Sequence, residues 1–256
     1  MPSNIIEIII LSLVQGVSEF LPISSSAHLN IVEIIFKFNS NSLMIDVSLH
    51  LGSLIAIIVY FRKELLNLKN NKKLLSLMII GSIPLVITGY IFHTTRLINL
   101  LENNLNVIAW TTLIFGIILY FADKNKFDKK ISLNLNLKTI LYIGLFQILA
   151  LIPGVSRAGI TITAARLFRF NRVDSSKISF LLAIPAIAGA SILSLKDTIG
   201  QSFELNYLLF ISITFSFIFS YFTIKFFLNY INKFSLNIFV IYRIIVSLVL
   251  FAIMYA

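Results

Sequence analysis

The chain has 256 residues, of which 58% are hydrophobic and only 12% are charged, and its mean hydropathy is +0.93. Soluble domains average about 25% charged residues, so this composition excludes an ordinary soluble domain and indicates an integral membrane protein. The absence of cysteine excludes disulfides, thiolate catalysis and cysteine-ligated metal sites. The net charge of +10 does not indicate a nucleic-acid partner, because basic cytoplasmic loops explain such an excess in membrane proteins.

The chain opens with an apolar region, residues 5–36, that a polar stretch interrupts near Pro22. Its start shows neither a basic leader nor a small-residue cleavage site, so we expect it to belong to the mature fold. Proline removes a backbone donor and clashes with the preceding turn, so the region is predicted to form two short helices that enter and leave the membrane on one side. Non-helical backbone at membrane depth lines a cavity or is buried in protein, so the break predicts a cavity.

Six further stretches have about the 20 apolar residues that a spanning helix needs. In chain order they are residues 43–61, 75–93, 106–122, 178–195, 206–228 and 238–255. A second interrupted region, residues 139–168, separates the first three stretches from the last three and is broken near Pro153. The chain is therefore predicted to be an all-α integral membrane protein with six spanning helices and two re-entrant helical hairpins.

The positions of the 21 Lys and Arg residues favour two hairpins over two further spans. With hairpins, four basic loops share one face of the membrane: residues 62–73, 123–138, 166–177 and 225–243. We assign Arg166, Arg172 and Arg243 to these loops. The opposite face keeps only Lys37, Arg96 and Lys196, and Arg157 is left inside the membrane. The positive-inside rule then makes the four loops cytoplasmic and places both termini outside the cytoplasm.

The two halves of the chain also resemble each other. Gln15 and Gln147 open comparable segments, and Ser24 and Ser156 have the same separation in sequence. Because each hairpin precedes three spans, an odd number, the second half is inverted relative to the first, as in many transporters. The predicted divisions are a single membrane domain, residues 1–256, a first repeat, residues 1–122, and an inverted second repeat, residues 139–256.

Arg157 is the most informative polar residue, because an arginine at membrane depth costs about 2.5–3.5 kcal/mol on insertion scales. An internal ion pair with Glu19 is the structural explanation. The functional explanation is a phosphate site, in which the guanidinium binds two phosphate oxygens and a helix N-terminus near Arg157 assists. The neighbouring residues that suit the same anion are Ser156, Thr161, Gly154 and Gly159.

Glu19 lies four residues after Gln15, so both side chains share the face of the first short helix that leads to the break. Besides pairing with Arg157, its carboxylate suits a general base or an oxygen ligand of a divalent cation. Both roles stay open at this point.

Three serines, Ser24, Ser25 and Ser26, lie at the predicted turn of the first hairpin, next to His28. One serine suffices to cap a helix that begins near His28, so the others leave hydroxyls free. A nucleophilic serine or histidine is therefore a candidate, although a buried histidine also serves as a hydrogen-bonded structural residue.

These segments resemble those of the bacterial undecaprenyl-diphosphate phosphatases, also called bacitracin-resistance proteins. The resemblance rests on QGVSEFLPISSSAHL from Gln15 to Leu29, on PGVSRAGIT from Pro153 to Thr161, and on the segment from Asp46 to Glu64. It extends over essentially the full length. It implies an enzyme of the bacterial plasma membrane that removes the terminal phosphate of undecaprenyl diphosphate, yielding the carrier lipid used in peptidoglycan synthesis, with its active site open to the outer face.

The resemblance also implies roles for particular residues. Glu19 matches the base or metal ligand, Ser25 and His28 match the proposed nucleophile and its neighbour, and Arg157 matches the phosphate-binding loop. The other expected phosphate contacts are Ser156, Thr161, Gly154, Gly159, Ser24, Ser26 and Gln15. The chain departs from the commonest form of the family at three positions: Gln15, where some members have a glutamate, Ala27, where glycine is usual, and Ala158, where a serine often follows the arginine. Gln15 removes one carboxylate and so puts a metal site with two carboxylates in doubt.

The implied cofactor is a divalent cation, Mg²⁺ or Ca²⁺, and the implied partners are a polyprenyl diphosphate lipid and membrane lipids. A second copy of the chain, as a homodimer, is a further candidate partner. The strongest rival function is a transporter or flippase for a phosphorylated polyprenyl lipid, because inverted repeats with broken helices are common in transporters. Such a protein needs binding groups but no nucleophile.

Overall fold

A computed structural model describes residues 5–36, 43–67, 72–95, 104–198 and 207–255. This part of the chain is helical apart from short turns and one isolated β-bridge. Its α-helices are α1 Ile5–Ser18, α2 Ser25–Phe36, α3 Leu43–Tyr60, α4 Arg62–Leu66, α5 Lys72–Thr94, α6 Leu105–Asp123, α7 Ile131–Asn134, α8 Leu137–Gln147, α9 Arg157–Leu167, α10 Arg172–Thr198, α11 Tyr207–Lys233 and α12 Asn237–Tyr255.

Six of these helices are long and apolar enough to cross a membrane: α3, α5, α6, α10, α11 and α12. They coincide with the six predicted spans, which are confirmed, and the chain is a multi-pass membrane protein. Two bounds differ clearly: α10 starts at Arg172 instead of residue 178, and α11 ends at Lys233 instead of residue 228. Asn171 explains the earlier start, because its side-chain oxygen accepts from the Asp174 backbone N–H at 2.8 Å and so caps the helix.

The two interrupted regions each form two short helices joined by a non-helical segment. We call residues 19–24, between α1 and α2, the first break. A 3₁₀ turn, Ile148–Leu151, extends α8, and residues 152–156 form the second break before α9. Ser24 and Ser156 end the two breaks with the left-handed φ angles of 76° and 71°. The first break ends earlier than predicted: α2 begins at Ser25 and not near His28.

Helix α11 packs closely against α1 and α3 through small residues. Ser216 Oγ donates to the Leu49 carbonyl at 2.6 Å, and the hydroxyls of Ser53 and Ser220 are 2.9 Å apart. A Cβ on Gly52 would lie 2.8 Å from Ser216 Cβ. Small residues let helix backbones approach without relying on the hydrophobic effect, which is weak between helices in lipid. These contacts hold α3 tightly against α11.

Helix packing relates the two halves in pairs. In the first half α1 and α3 both pack on α11, and in the second half α8 and α10 both pack on α5. Helix α6 of the first half packs on α12 of the second. Phe20 in the first break is fully buried and meets Phe180 of α10 edge-on at 5.4 Å between ring centroids. The first break is therefore anchored to helices of both halves.

Two arginines that the charge pattern assigned to cytoplasmic loops are buried instead. Arg166 lies near the end of α9 with its Nε 3.0 Å from Asp123, and Arg243 lies within α12; each is 1% exposed. The buried carboxylate of Asp123 explains why Arg166 is buried, because it balances the charge of the guanidinium. The same carboxylate also binds Arg172 Nε at 2.8 Å and the Leu236 backbone N–H at 2.9 Å. Arg243 is explained by carbonyl groups of the two breaks, described below.

Candidate active site

The two breaks are joined by an ion pair. Arg157 Nη2, at the start of α9, donates to Glu19 Oε1 in the first break at 2.9 Å. Both side chains are largely buried, with 13% and 7% of their side-chain surface exposed. Arg157 and Glu19 therefore compensate each other at a depth where either alone would be costly.

The second oxygen of Glu19 binds two further donors. Ser25 Oγ donates to Oε2 at 2.6 Å, and Gln15 Nε2 donates to the same oxygen at 3.1 Å. Ser25 is the first residue of α2, and Gln15 lies one turn before Glu19, so the turn of the first break brings all three together. A serine hydroxyl that donates to a carboxylate is the pairing of a nucleophile with its base.

Arg157 keeps hydrogen-bonding capacity for a ligand. A guanidinium has five N–H donors. Contacts with the described residues use two of them, one for Glu19 and one that reaches the Ser179 carbonyl at 3.4 Å. Ser156 caps α9 by accepting from the Gly159 N–H at 3.1 Å, which leaves its own hydroxyl proton free to donate. The start of α9 thus presents donors suited to an anion.

Three residues predicted to contact phosphate have other contacts. Thr161 Oγ1 is fully buried, 2.7 Å from the Arg157 carbonyl oxygen and 2.7 Å from Ser179 Oγ. A Cβ on Gly154, which has a φ of +86°, would lie 2.8 Å from the Ile108 carbonyl, and one on Gly159 would lie 3.0 Å from Arg243 Nη1. The two glycines are therefore needed for close packing, and Thr161 joins α9 to α10.

His28 is not brought into hydrogen-bonding contact with Glu19 or Ser25. Its Nδ1–H donates to the Ser24 carbonyl at 2.6 Å, and its Nε2 lies 2.7 Å from the Tyr242 hydroxyl, with the two rings stacked. Because a carbonyl only accepts, the neutral ring carries its proton on Nδ1 and accepts from Tyr242 at Nε2. Ser26 is exposed and lies beside Ser24, with 3.4 Å between their hydroxyl oxygens.

Sequence reasoning missed Tyr242, Arg243 and Ser179. Arg243 could have been found from the sequence, because it lies within residues 238–255, which were predicted to span the membrane. The free-energy cost of placing Arg157 at membrane depth applies to any charged residue there. Tyr242 and Ser179 carry no such signal, because their contacts join helices distant in sequence.

The residues around Glu19 fit a divalent cation only in part. Among the described residues, no group of three or more His, Asp or Glu side chains is placed to hold a metal. The oxygens available are the Glu19 carboxylate and Gln15 Oε1, which is buried and has no hydrogen-bond partner. This donor set suits a cation such as Mg²⁺, which takes one or two carboxylates and completes its shell with substrate phosphates and water.

This is a multi-pass helical membrane protein with a carboxylate, a guanidinium and a serine hydroxyl between two interrupted helical regions. It therefore belongs to the class of membrane proteins that have a polar site among their helices. Comparison with known proteins identifies the family within that class. The family described as "Bacitracin resistance protein BacA" matches residues 8–249, so the chain belongs to this family.

Curated relatives match the chain over nearly their whole length. A protein of Pelagibacter ubique (strain HTCC1062) named "Undecaprenyl-diphosphatase" is 83% identical and the match covers 99% of both chains. Proteins with the same name from Elusimicrobium minutum (strain Pei191) and Alteromonas mediterranea are 42% and 39% identical. These two matches cover 94% and 96% of this chain and 95% and 97% of the relatives.

Proposed function

We propose that this protein hydrolyses undecaprenyl diphosphate to undecaprenyl phosphate and inorganic phosphate, and so returns a lipid carrier to peptidoglycan synthesis and confers resistance to bacitracin. The names of the curated relatives that match nearly the whole chain support this activity. The observation that carries the proposal is the shared carboxylate of Glu19, which accepts from Ser25 at 2.6 Å and from Arg157 at 2.9 Å. The proposed nucleophile and the anion-binding guanidinium thus both contact the proposed base.

In the proposed reaction, the free N–H groups of Arg157 and the start of α9 hold the diphosphate. Ser25 Oγ forms a bond to the terminal phosphorus while the anhydride bond to the bridging oxygen breaks. Glu19 accepts the hydroxyl proton and passes it to the departing undecaprenyl phosphate. Water then attacks the phosphoserine, and Glu19 transfers a water proton to Ser25 Oγ as inorganic phosphate leaves.

The remaining site residues support this chemistry. Gln15 orients Glu19 through its 3.1 Å contact, and Ser156 and Ser26 offer hydroxyls at the edges of the two breaks. His28 holds the turn that precedes Ser25 by binding the Ser24 carbonyl. A divalent cation, held by Glu19 and Gln15 Oε1, would neutralise charge on the diphosphate.

We further propose that the two helix pairs, α1 with α2 and α8 with α9, are re-entrant hairpins of an inverted repeat. The paired helix contacts of the two halves support this architecture, as do the left-handed φ angles of Ser24 and Ser156. The active site would then open to the outer face of the plasma membrane. The division into repeats and a homodimer stay predictions.

Sidedness can be measured by thiol labelling, because the chain has no cysteine of its own. A cysteine at the exposed Ser26 should react with a membrane-impermeant reagent added outside cells, and one at the exposed Lys126 should react only after lysis. The reverse pattern would contradict the outward-facing site.

The activity is tested by phosphate release from undecaprenyl or farnesyl diphosphate by detergent-purified protein, with and without EDTA. Arg157→Ala and Glu19→Ala should abolish release, and the folding of each variant is checked by size-exclusion chromatography because each change leaves a buried partner unpaired. Arg62→Ala is the matched control. Arg62 is exposed and donates to the Val59 carbonyl one turn earlier, so this control should keep wild-type activity. If folded wild-type protein releases no phosphate, the same site would instead be assigned to transport of a phosphorylated lipid.

A further inference from the structure

The side chain of Arg243 connects the two breaks directly. It projects from α12 and is 1% exposed. We propose that Arg243 is a positioning residue, which fixes the first break relative to the second so that Glu19, Ser25 and Arg157 meet. This inference rests on the proposed function and adds to it a residue outside the two breaks.

Each polar atom of the guanidinium faces backbone carbonyls. Nη1 donates to Pro22 of the first break at 3.3 Å and to Val155 of the second at 3.1 Å, while Nη2 donates to Gly154 at 2.8 Å. The remaining contacts are with α6: Nη2 reaches the Thr111 carbonyl at 3.4 Å, and Nε reaches that of Thr112 at 3.1 Å. All five donors are therefore matched by oxygens from three segments of the chain.

This arrangement follows from the breaks themselves. Carbonyl groups that leave a helix inside a membrane must find donors, because the lipid offers none. No ion pair joins Arg243 to a carboxylate among the described residues. Its charge is thus balanced by carbonyl dipoles alone. A lysine, with three donors on one nitrogen, cannot reproduce the planar fork that reaches both breaks.

Two glycines leave room for the guanidinium. A Cβ on Gly116 of α6 would lie 3.2 Å from Arg243 Cβ and 3.5 Å from its Nε, and one on Gly159 would lie 3.0 Å from Nη1. The Arg243 side chain is therefore held from both sides. A methyl group at Gly116 would shift it by a few tenths of an ångström without removing any of its donors.

The position of Arg243 links its contacts to the chemistry. Pro22 lies between Glu19 and Ser25 in sequence, and Val155 lies two residues before Arg157. Any change in the separation of Pro22 from Val155 is transmitted to the 2.9 Å contact between Glu19 and Arg157. Reacting groups misplaced by about 1 Å can lose about 100-fold in rate. Arg243 thus controls catalysis although it does not touch the proposed nucleophile or base.

The kinetic experiment compares Arg243→Gln, Arg243→Lys and Gly116→Ala with the wild type. We expect kcat to fall about 100-fold for Arg243→Gln, at least about 10-fold for Arg243→Lys, and about 5-fold for Gly116→Ala, with KM within about 3-fold. KM should change little because Arg157 and the start of α9 remain to bind the diphosphate. Gly189→Ala is the matched control and should keep wild-type kcat, since a Cβ there would meet nothing within 4 Å.

A second measurement does not depend on activity. Ser26 follows the first break, and Leu151 precedes the second. Spin labels on cysteines introduced at these two positions report the distance between the helix pairs. The distance distribution should be narrow in the parent and in Gly189→Ala, and broader or shifted in Arg243→Gln and Gly116→Ala. If the wild-type protein releases no phosphate but the distance distributions follow this pattern, the proposed reaction is overturned and the positioning role is not.

Three results would overturn the positioning role. The first is an unchanged distance distribution in Arg243→Gln. The second is wild-type kcat in Arg243→Lys, which would show that charge alone matters. The third is a fall in kcat for Gly116→Ala no larger than that for Gly189→Ala, with both proteins folded.

Discussion

The two helix pairs that form the site differ in how they are buried. In α9 all the residues from Ala158 to Arg166 are buried, whereas in α2 Ile35 and Phe36 are each 59% exposed. Helix α9 is thus the more deeply buried support, and it presents Arg157. Glu19 lies in the first break, and Ser25 and His28 lie on α2, whose last residues are exposed; elements with fewer buried contacts open more readily. The proposed base and nucleophile thus lie beside the less buried helix, and the anion-binding group lies on the more buried one.

Glu19→Gln should give the largest effect, because it removes the carboxylate that binds both Ser25 and Arg157. We expect kcat to fall about 1,000-fold, within the range for loss of a general base. Gln keeps the size of the side chain, so the fold should be retained. Glu64→Gln, at an exposed position of α4, is the matched control. More than about a tenth of wild-type kcat in Glu19→Gln would show that another group is the base.

Ser25→Ala comes next and separates serine from water as the nucleophile. The hydroxyl that donates to Glu19 at 2.6 Å is lost, and we expect kcat to fall about 100-fold or more. Ser26→Ala, one residue on, removes an exposed hydroxyl and should cost only a few-fold. Acid-quenched wild-type protein should carry phosphate on Ser25. If the two alanine variants have similar rates and no phosphoserine forms, water is the nucleophile.

Gln15 and Gln147, which open comparable segments of the sequence, offer a direct comparison. Gln15 supports Glu19, so Gln15→Met should lower kcat about 10-fold. Gln147 is fully buried, and neither of its side-chain polar atoms has a hydrogen-bond partner within the part of the chain that the structure describes. Gln147→Met should therefore keep activity and raise the melting temperature by about 2–4 °C, since an unsatisfied polar group costs about 1 kcal/mol or more. A loss of activity in Gln147→Met would mean that the second pair also takes part in the chemistry.

The smallest expected effect belongs to Tyr242→Phe, which removes the hydroxyl 2.7 Å from His28 Nε2 but keeps the stacked ring. His28 would still hold the Ser24 carbonyl through Nδ1. We expect kcat to fall about 3-fold, with KM unchanged, in steady-state assays beside His28→Ala. A fall as large as that of His28→Ala would show that Tyr242 is needed to orient the histidine.

Much of this arrangement could be predicted from sequence, for identifiable physical reasons. Spans of about 20 apolar residues are unambiguous, and Pro22 and Pro153 mark the breaks because proline cannot continue a helix. Arg157 stands out because an arginine at membrane depth is costly. The contact between Glu19 and Arg157 was therefore foreseeable as an ion pair, and the phosphate-binding role of Arg157 and the base or metal role of Glu19 stay predictions.

The parts that escaped prediction depend on tertiary contacts. His28 and Tyr242 are 214 positions apart, so no local pattern relates them. Arg243 was assigned to a basic loop because it lies near the end of an apolar stretch, and its carbonyl partners come from residues as distant as Pro22. Thr161 has helical spacing from Arg157, yet Ser179 of α10 takes its hydroxyl.

The ion pair between Glu19 and Arg157 also has a consequence for how the protein is made. Its two residues are 138 positions apart in the sequence. Ser12 of α1 and Ser212 of α11, through which these two helices pack, are 200 positions apart. At about 5–20 residues synthesised per second, Glu19 waits about 7–28 s in the nascent chain before Arg157 exists. During that interval the carboxylate lacks the guanidinium with which it pairs in the folded protein. The active site can therefore assemble only after most of the chain has left the ribosome.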